Sequence, residues 1–111
     1  DKTKRPIMGK LASHYADFII LTNDNPRTED PDAIIEQIKA GIDNSKFVYK
    51  ILNRRAAIKH ALSLARENDV VLIAGKGHEN YQEIGHKRFV FSDQKVVRNV
   101  SKTYVKHRDR V

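Results

Sequence analysis

The chain has 111 residues, of which 40% are apolar and 32% charged, and its net charge of +7 comes from 21 Lys and Arg against 14 Asp and Glu. This length and composition fit one globular domain with its own core, and they exclude a disordered chain. The absence of cysteine excludes a disulfide framework and a thiolate metal site. Because no apolar run approaches the roughly 20 residues that cross a bilayer, we expect no membrane partner.

Apolar periodicity and turn residues predict helices and strands in alternation along the chain. Pro6 and Pro31 stand where a helix begins, because a proline at a first helical position lacks only an N–H that would be unsatisfied there. The side chains suited to cap helix starts are Asp30, Asn53 and Ser92 or Asp93. The predicted elements are a helix at 6–16, a strand at 17–22, a helix at 31–42, a strand at 47–52, a helix at 53–68, a strand within 69–77, a hairpin at 81–93 and a helix at 94–105, followed by a frayed tail.

This order predicts an α/β domain of three layers. The runs FIIL and VVLI lack polar alternation, which is typical of strands covered on both faces in a parallel sheet. The hairpin turns around Ile84, Gly85 and His86 and would add an antiparallel edge to the mainly parallel sheet. The first residues, DKTKRP without an initiator Met, suggest a domain taken from a longer protein.

The loop TNDNPRTED follows the first strand, at the end where parallel sheets bind ligands. Arg27 offers a planar fork for a carboxylate or phosphate, Asp24 can accept from an ammonium group, and Asn25 can donate and accept. Pro26 restricts Asn25 and fixes the loop. These residue types suit an amino-acid head group. The alternative is an Asx-rich turn that caps the next helix and leaves Arg27 exposed.

A second loop, AGKGHENYQ, follows VVLI and would lie beside the first if the two strands are neighbours. Gly75 allows close backbone approach to a ligand, Lys76 adds charge, and Glu79 can hold an ammonium group. The sequence is neither a Walker A motif nor GxGxxG, so a tight strand-to-helix turn is an equal alternative. His78 is a base, a switch or a hydrogen-bonded structural residue.

No metal-ligand spacing and no nucleophile–base pair is found in the chain, so we expect no metal site and no complete enzyme. The positive charge leaves a nucleic-acid-binding module as an alternative function. The basic residues are scattered, however, and aromatic residues are not interleaved with them as a stacking surface requires. We therefore expect no nucleic-acid partner.

Three segments, KRPIMGKLA, TNDNPRTEDP and DVVLIAGKGHENYQ, together resemble in order and spacing the C-terminal domain of the Mur ligases, in particular of the MurE-type branch. The resemblance covers residues 1 to about 100. It implies that 1–111 form a Rossmann-like, amino-acid-binding domain of a bacterial, cytoplasmic ligase. That enzyme joins meso-diaminopimelate to UDP-N-acetylmuramoyl-L-alanyl-D-glutamate in peptidoglycan precursor synthesis, consuming ATP with Mg²⁺. An N-terminal UDP-sugar domain and a central ATPase domain, the partner of this domain, would lie outside the chain.

The resemblance also implies which residues bind the amino acid. The substrate-binding residues carried over are Asp24, Asn25, Pro26, Arg27, Gly75 and Glu79. Arg27 would pair with the distal carboxylate of diaminopimelate, which lysine lacks, and would therefore select by penalising lysine. A sibling domain that adds lysine or lanthionine is the alternative within the family, and lanthionine would satisfy the same arginine.

Parts of the family's pattern are missing from the chain. The GGDR run, with another amino-acid contact, would precede Asp1, and the P-loop and carbamylated lysine belong to the central domain. We therefore expect no catalytic residue in the chain and no activity from it alone. Lys2, Lys4 and Arg5 would lie by the interdomain hinge and approach the ATP phosphates, while the chain alone would bind no cofactor.

Overall fold

The computed structural model describes residues 2–75 and 79–108. A 3-10 turn at Lys2–Lys4 leads into the first helix. The elements that follow are α1 (Arg5–Tyr15), β1 (Phe18–Leu21), α2 (Pro31–Lys39), β2 (Phe47–Lys50), α3 (Arg54–Leu64), β3 (Tyr81–Ile84), β4 (Lys87–Val90) and α4 (Asp93–Arg108). The last helix continues to Arg108, past its predicted end and into the segment predicted to fray, whose final residues lie outside the described part of the chain.

The predicted helix caps are confirmed. Asp30 accepts a hydrogen bond from the Asp32 N–H at 3.1 Å, and Asn53 accepts one from the Ala56 N–H at 2.9 Å. Ser92 is the cap of α4, since its Oγ lies 3.3 Å from the Lys95 N–H. These oxygens satisfy backbone donors that have no partner within the helix, which fixes where each helix starts.

The strands β1 and β2 pair in parallel, with Phe18 opposite Phe47 and Leu21 opposite Lys50. Because side chains alternate along a strand, Ile19 and Leu21 point to the same face. There they are buried with Ile35 and Ile42 beneath α1 and α2. This cluster is the larger part of the core.

The other face of the sheet carries aromatic rings and lies against α3. The rings of Phe18 and Phe47 stack with centroids 5.2 Å apart, and Tyr49 meets His60 of α3 edge to face. Farther out, α3 packs on α4 around the buried Ala57, Ile58 and Val96. Helices thus flank the strands on both sides, and the predicted mixed α/β class is confirmed.

The helices α1 and α2 cross in close backbone contact at two glycines. A Cβ on Gly9 would overlap the carbonyl oxygen of Ile38, and one on Gly41 would overlap that of Pro6. Glycine is required at both positions because any side chain would separate the helices. Within residues 2–75 and 79–108, the helices fall short of the length and apolarity of a membrane span.

The strand predicted within 69–77 is not formed among the described residues. Val70 and Leu72 are 92% and 86% exposed, whereas Val71 and Ile73 between them are half-buried. The apolar run suggested cover on both faces, but the segment is covered on one side only. A strand needs a neighbour for its N–H and C=O groups, and 70–74 does not enter the ladder of β1 and β2.

The predicted hairpin is confirmed as β3 and β4, which pair antiparallel with Ile84 opposite Lys87. Its position differs from the prediction, because it forms a separate two-stranded sheet rather than an edge of the parallel one. An isolated parallel bridge between Arg27 and Ile84 attaches the hairpin to the loop after β1. The backbone of the loop after β1 thus pairs with backbone groups at the edge of the hairpin, which would otherwise be available to a neighbouring sheet.

Candidate functional site

The loop after β1 is held against the hairpin by both backbone and side chain. The amide of Asn25 uses both ends: its Oδ1 accepts from the Glu83 N–H at 2.8 Å, and its Nδ2 donates to Glu79 Oε2 at 3.1 Å. Pro26 is buried behind it. Asn25 therefore positions the loop and orients the Glu79 carboxylate at once.

Arg27 adopts a left-handed backbone conformation, with φ of 55°, which is uncommon for a residue other than glycine. Its N–H donates to the Glu83 carbonyl at 3.1 Å, and its carbonyl accepts from the Gly85 N–H. These bonds offset the steric cost of the left-handed conformation, which is about 1–2 kcal/mol. They turn the Arg27 side chain away from the core, where it is 68% exposed.

The guanidinium of Arg27 already has an acidic partner on the hairpin. Its Nε lies 3.1 Å from Glu83 Oε2, while Glu83 Oε1 accepts from Arg88 at 2.9 Å. The hydrogen bond from Arg88, and next that from Arg27, lower the pKa of Glu83 below its ordinary value. Exposed ion pairs of this kind contribute little to stability, but they set the direction of a side chain.

The second predicted loop reaches the same place through Gly75 and Glu79. Gly75 has φ of 109°, and a Cβ built on it would lie 3.3 Å from Asp24 Oδ2. The carboxylate of Asp24 thus lies against the Gly75 backbone, as Glu79 lies against Asn25. Lys76, expected to add charge, and His78, expected to be a base, a switch or a structural residue, lie with Gly77 outside the described residues.

Arg54, which sequence reasoning passed over, lies behind both loops. It is 4% exposed, pairs with Asp93 and donates to the carbonyls of Asn23 and Ala74. Glu83 was passed over as well. The available signals were an arginine directly after the helix cap, the first of the two in the NRRAA segment, and an acid in a hairpin strand opposite Arg88.

The basic start of the chain is partly engaged in structure. Arg5 donates through Nη2 to Glu29 at 3.0 Å and through Nη1 to Glu29 and to Gln37, the latter at 2.7 Å. This contact raises the pKa of Arg5 and lowers that of Glu29. Lys2 and Lys4 are exposed in the 3-10 turn. The prediction that these three residues approach ATP stays a prediction, and the Arg5 guanidinium would have to leave Glu29 to do so.

The arrangement places the exposed guanidinium of Arg27 on Glu83, which it shares with Arg88, while the carboxylates of Asp24 and Glu79 lie against Gly75 and Asn25. A guanidinium suits a ligand carboxylate and a carboxylate suits an ammonium group, so both groups of an amino acid can be matched here. Among the residues that the structure describes, no group of three or more His, Cys, Asp or Glu is placed to hold a metal ion.

Comparison with known proteins extends these observations. Residues 1–77 match the family model described as "Mur ligase, glutamate ligase domain". A protein of Caldanaerobacter subterraneus subsp. tengcongensis is 50% identical over 101 residues, which are 90% of this chain and 21% of that protein. One of Aquifex aeolicus is 52% identical over 100 residues, again 90% of this chain and 21% of that protein. Both are named UDP-N-acetylmuramoyl-L-alanyl-D-glutamate--2,6-diaminopimelate ligase.

A solved structure of a protein with the same name superposes with a TM-score of 0.87 at 47% identity. The match covers 94% of this chain and 22% of that one, so the chain spans about a fifth of the length of the relatives it matches. The family model alone accounts for 77 of the 111 residues. The chain therefore belongs to the Mur ligase family and comprises its glutamate ligase domain.

Proposed function

We propose that 1–111 form the C-terminal, amino-acid-binding domain of an ATP-dependent ligase that adds meso-diaminopimelate to UDP-N-acetylmuramoyl-L-alanyl-D-glutamate in the bacterial cytoplasm. The proposal rests on the meeting of Asp24 with Gly75 and of Asn25 with Glu79 in the loop that also carries Arg27. The names and identities of the relatives support the same substrate class. The other four-fifths of such a protein would supply the UDP-sugar domain and the central ATPase domain.

In the proposed complex, Arg27 binds the distal carboxylate of diaminopimelate. Glu83 takes its Nε, so the edge formed by Nη1 and Nη2 is directed toward the ligand as a bidentate fork. Asp24 and Glu79 hold an ammonium group of the amino acid, and the Gly75 backbone allows the ligand to approach closely. Pro26 keeps Asn25 extended, which directs its amide to Glu79.

Preference for diaminopimelate over lysine follows from the cost of leaving Arg27 without a carboxylate. With the Arg27 side chain 68% exposed, that cost is small in the domain as it stands. It rises when the rest of the ligase covers the site, because a charge removed from water without a partner is strongly unfavourable. Closure of the domain over ATP would therefore select the substrate as well as bring the reactants together.

ATP and Mg²⁺ are assigned in this proposal to the absent central domain. The described residues provide no metal-ligand cluster, and Lys2 and Lys4 are the exposed cations nearest the chain's start. We propose that these lysines approach the ATP phosphates on closure. When bound, ATP would activate a carboxylate of the UDP-linked substrate, and the residues of this domain would orient the amine that attacks it.

The experiment is a substitution of Arg27 in the full-length ligase that carries this domain. We expect Arg27→Ala to lower kcat/KM for meso-diaminopimelate by about 10²-fold and to raise kcat/KM for lysine, because no guanidinium is then left without a carboxylate when the site closes. Arg66→Ala is the matched control, because Arg66 is an exposed arginine beyond the opposite end of α3. Equal use of lysine by the parent enzyme, or an unchanged preference in Arg27→Ala, would contradict the proposal. Lanthionine, assayed in parallel, tests how strictly the dicarboxylate is recognised.

A further inference from the structure

Arg54 forms a buried, charge-neutral pair with Asp93. Its Nε lies 2.8 Å from Asp93 Oδ1 and its Nη2 2.7 Å from Oδ2, which is the bidentate geometry that a guanidinium and a carboxylate favour. The side chains are 3% and 8% exposed. The pair joins the first turn of α3 to the first residue of α4, and Asp93 fixes the plane of the guanidinium.

The same guanidinium also holds two backbone carbonyls from separate loops. Nη1 donates to the Asn23 carbonyl at 3.0 Å, and Nη2 donates to the Ala74 carbonyl at 3.2 Å. Asn23 directly precedes Asp24, and Ala74 directly precedes Gly75. The planar guanidinium of Arg54 thus connects the two loops. In each loop it binds the residue directly before a proposed ligand-binding residue, which is Asp24 in one loop and Gly75 in the other.

We infer that Arg54 is a positioning residue for amino-acid binding, which sets the spacing between the loop after β1 and the loop that contains Gly75. This inference rests on the proposed function. The need for such a residue is visible in the fold, because 70–74 makes no ladder with β1 that would fix the two loops by backbone hydrogen bonds. The Ala74 carbonyl is anchored by Arg54 instead.

A lysine cannot replace Arg54 in this role. Its single nitrogen keeps the charge for Asp93 but cannot meet one carboxylate and two carbonyls in the same plane. The two loops would then move apart by a fraction of an ångström, and binding sites lose function over displacements of that size. Binding of the diamino acid should suffer, while sites formed by other domains should not.

The test measures the KM for each substrate in the full-length ligase. We expect Arg54→Lys to raise the KM for diaminopimelate by about tenfold or more, with the KM values for ATP and for the UDP-linked dipeptide within about twofold of the parent. Val96→Ala is the matched stability control: Val96 is 2% exposed on α4, and its apolar side chain has no donor for either loop carbonyl. It should lower the Tm and leave all KM values unchanged.

A double variant covers the case in which Arg54→Lys fails to fold. Arg54→Met with Asp93→Leu removes both buried charges, an exchange that is often neutral or stabilising. We expect a folded enzyme with the same selective rise in the KM for diaminopimelate. An unchanged KM in a folded variant, or a rise for all substrates together, would overturn the inference.

Arg27→Ala in the same assay separates this inference from the proposed function. If Arg27→Ala raises the KM for diaminopimelate and the Arg54 variants do not, the loops bind the amino acid without help from Arg54. If neither change affects that KM, the binding site itself is assigned wrongly.

Discussion

At Gly75 the backbone conformation and the neighbouring side chain both require glycine. Its φ of 109° lies where residues with a Cβ are rarely found, and the Asp24 carboxylate occupies the space that a Cβ would face. Gly85 shares the positive φ, at 63°, but no atom lies within 4 Å of a Cβ built there. An alanine at Gly85 would therefore add backbone strain alone, whereas an alanine at Gly75 would add strain and also displace Asp24.

We predict that Gly75→Ala in the full-length ligase raises the KM for diaminopimelate by about tenfold, because it displaces Asp24 as well as straining the chain. Gly85→Ala should lower stability by about 1 kcal/mol with a much smaller change in that KM. Steady-state kinetics and thermal unfolding of both variants provide the measurement. Equal effects of the two substitutions on the KM would show that displacement of Asp24 by a side chain at residue 75 does not affect binding.

Glu83 should make stability depend on pH in the acid range. The hydrogen bonds from Arg88 and then Arg27 hold the pKa of Glu83 below its ordinary value of 4.5, so its contribution to stability is present above that pH. The contribution is lost as the pH falls through the lowered pKa of the folded state, where the carboxylate is protonated. The pair is exposed, so the effect is small in size.

The predicted outcome concerns the difference in unfolding free energy between the parent chain and Glu83→Gln. That difference should be larger at about pH 6 than in the acid range below 4.5, and it should shrink as the pH falls through the lowered pKa of Glu83. Urea unfolding under the two conditions gives the comparison. Glu67→Gln, in the exposed turn after α3, is the control. A difference between parent and Glu83→Gln that did not change with pH would contradict the assignment.

Among the elements, the crossing of α1 and α2 determines how the core beneath the sheet is packed. The close approach at Gly9 and Gly41 brings Ile35 and Ile42 onto Ile19 and Leu21 of β1. From the sequence, Gly9 only weakens a helix, since glycine costs about 1 kcal/mol relative to alanine. In the fold the same residue permits the contact that buries the apolar stripe of α2.

We predict that Gly9→Ala destabilises the chain by about 1–3 kcal/mol, the cost of forcing an extra methyl into a packed contact. The sign is the test, because an exposed helical glycine changed to alanine would stabilise by about 0.5–1 kcal/mol. Lys10→Ala, exposed on the same helix, should change stability little. Chemical denaturation of the three chains measures the effect, and a stabilised Gly9→Ala would refute the close contact.

The sequence predicted most elements well because their signals are local. Asp30, Asn53 and Ser92 cap the helices that they were expected to cap, and the hairpin turns at Gly85. The strand in 69–77 was wrong because an apolar run specifies burial but not a hydrogen-bonding neighbour. The position of the hairpin depended on the bridge from Arg27 to Ile84, which joins residues far apart in the chain.

The candidate site was predictable in part. The two loops were expected to lie side by side, and Asp24 does meet Gly75, although the second of the two strands behind that expectation is not formed among the described residues. Arg54 and Glu83 escaped notice because their roles come from partners that only the fold supplies. A buried arginine cannot be told from a solvated one in NRRAA, since the sequence shows neither Asp93 nor the carbonyls that satisfy it.

At the scale of the whole molecule, the chain spans about a fifth of the length of its relatives. Its first helix is connected by hydrogen bonds to the loop that contains the candidate site. Arg5, in the first turn of α1, grips Glu29 just after the DNPR segment and Gln37 on α2. A movement of the first residues of the chain would therefore also move Glu29 and the loop that precedes α2.

The backbone hydrogen bonds between Arg27 and the hairpin have a consequence for the exchange of the proposed substrate preference between members of the family. The DNPR segment takes its shape from Glu83 and Gly85, which lie more than 50 residues later in the chain. Transfer of the four residues DNPR into another family member would supply the guanidinium without the hairpin residues that orient it. On the proposed function, substrate preference would be carried by the loop together with its hairpin, and the two distant segments would have to be exchanged as a pair.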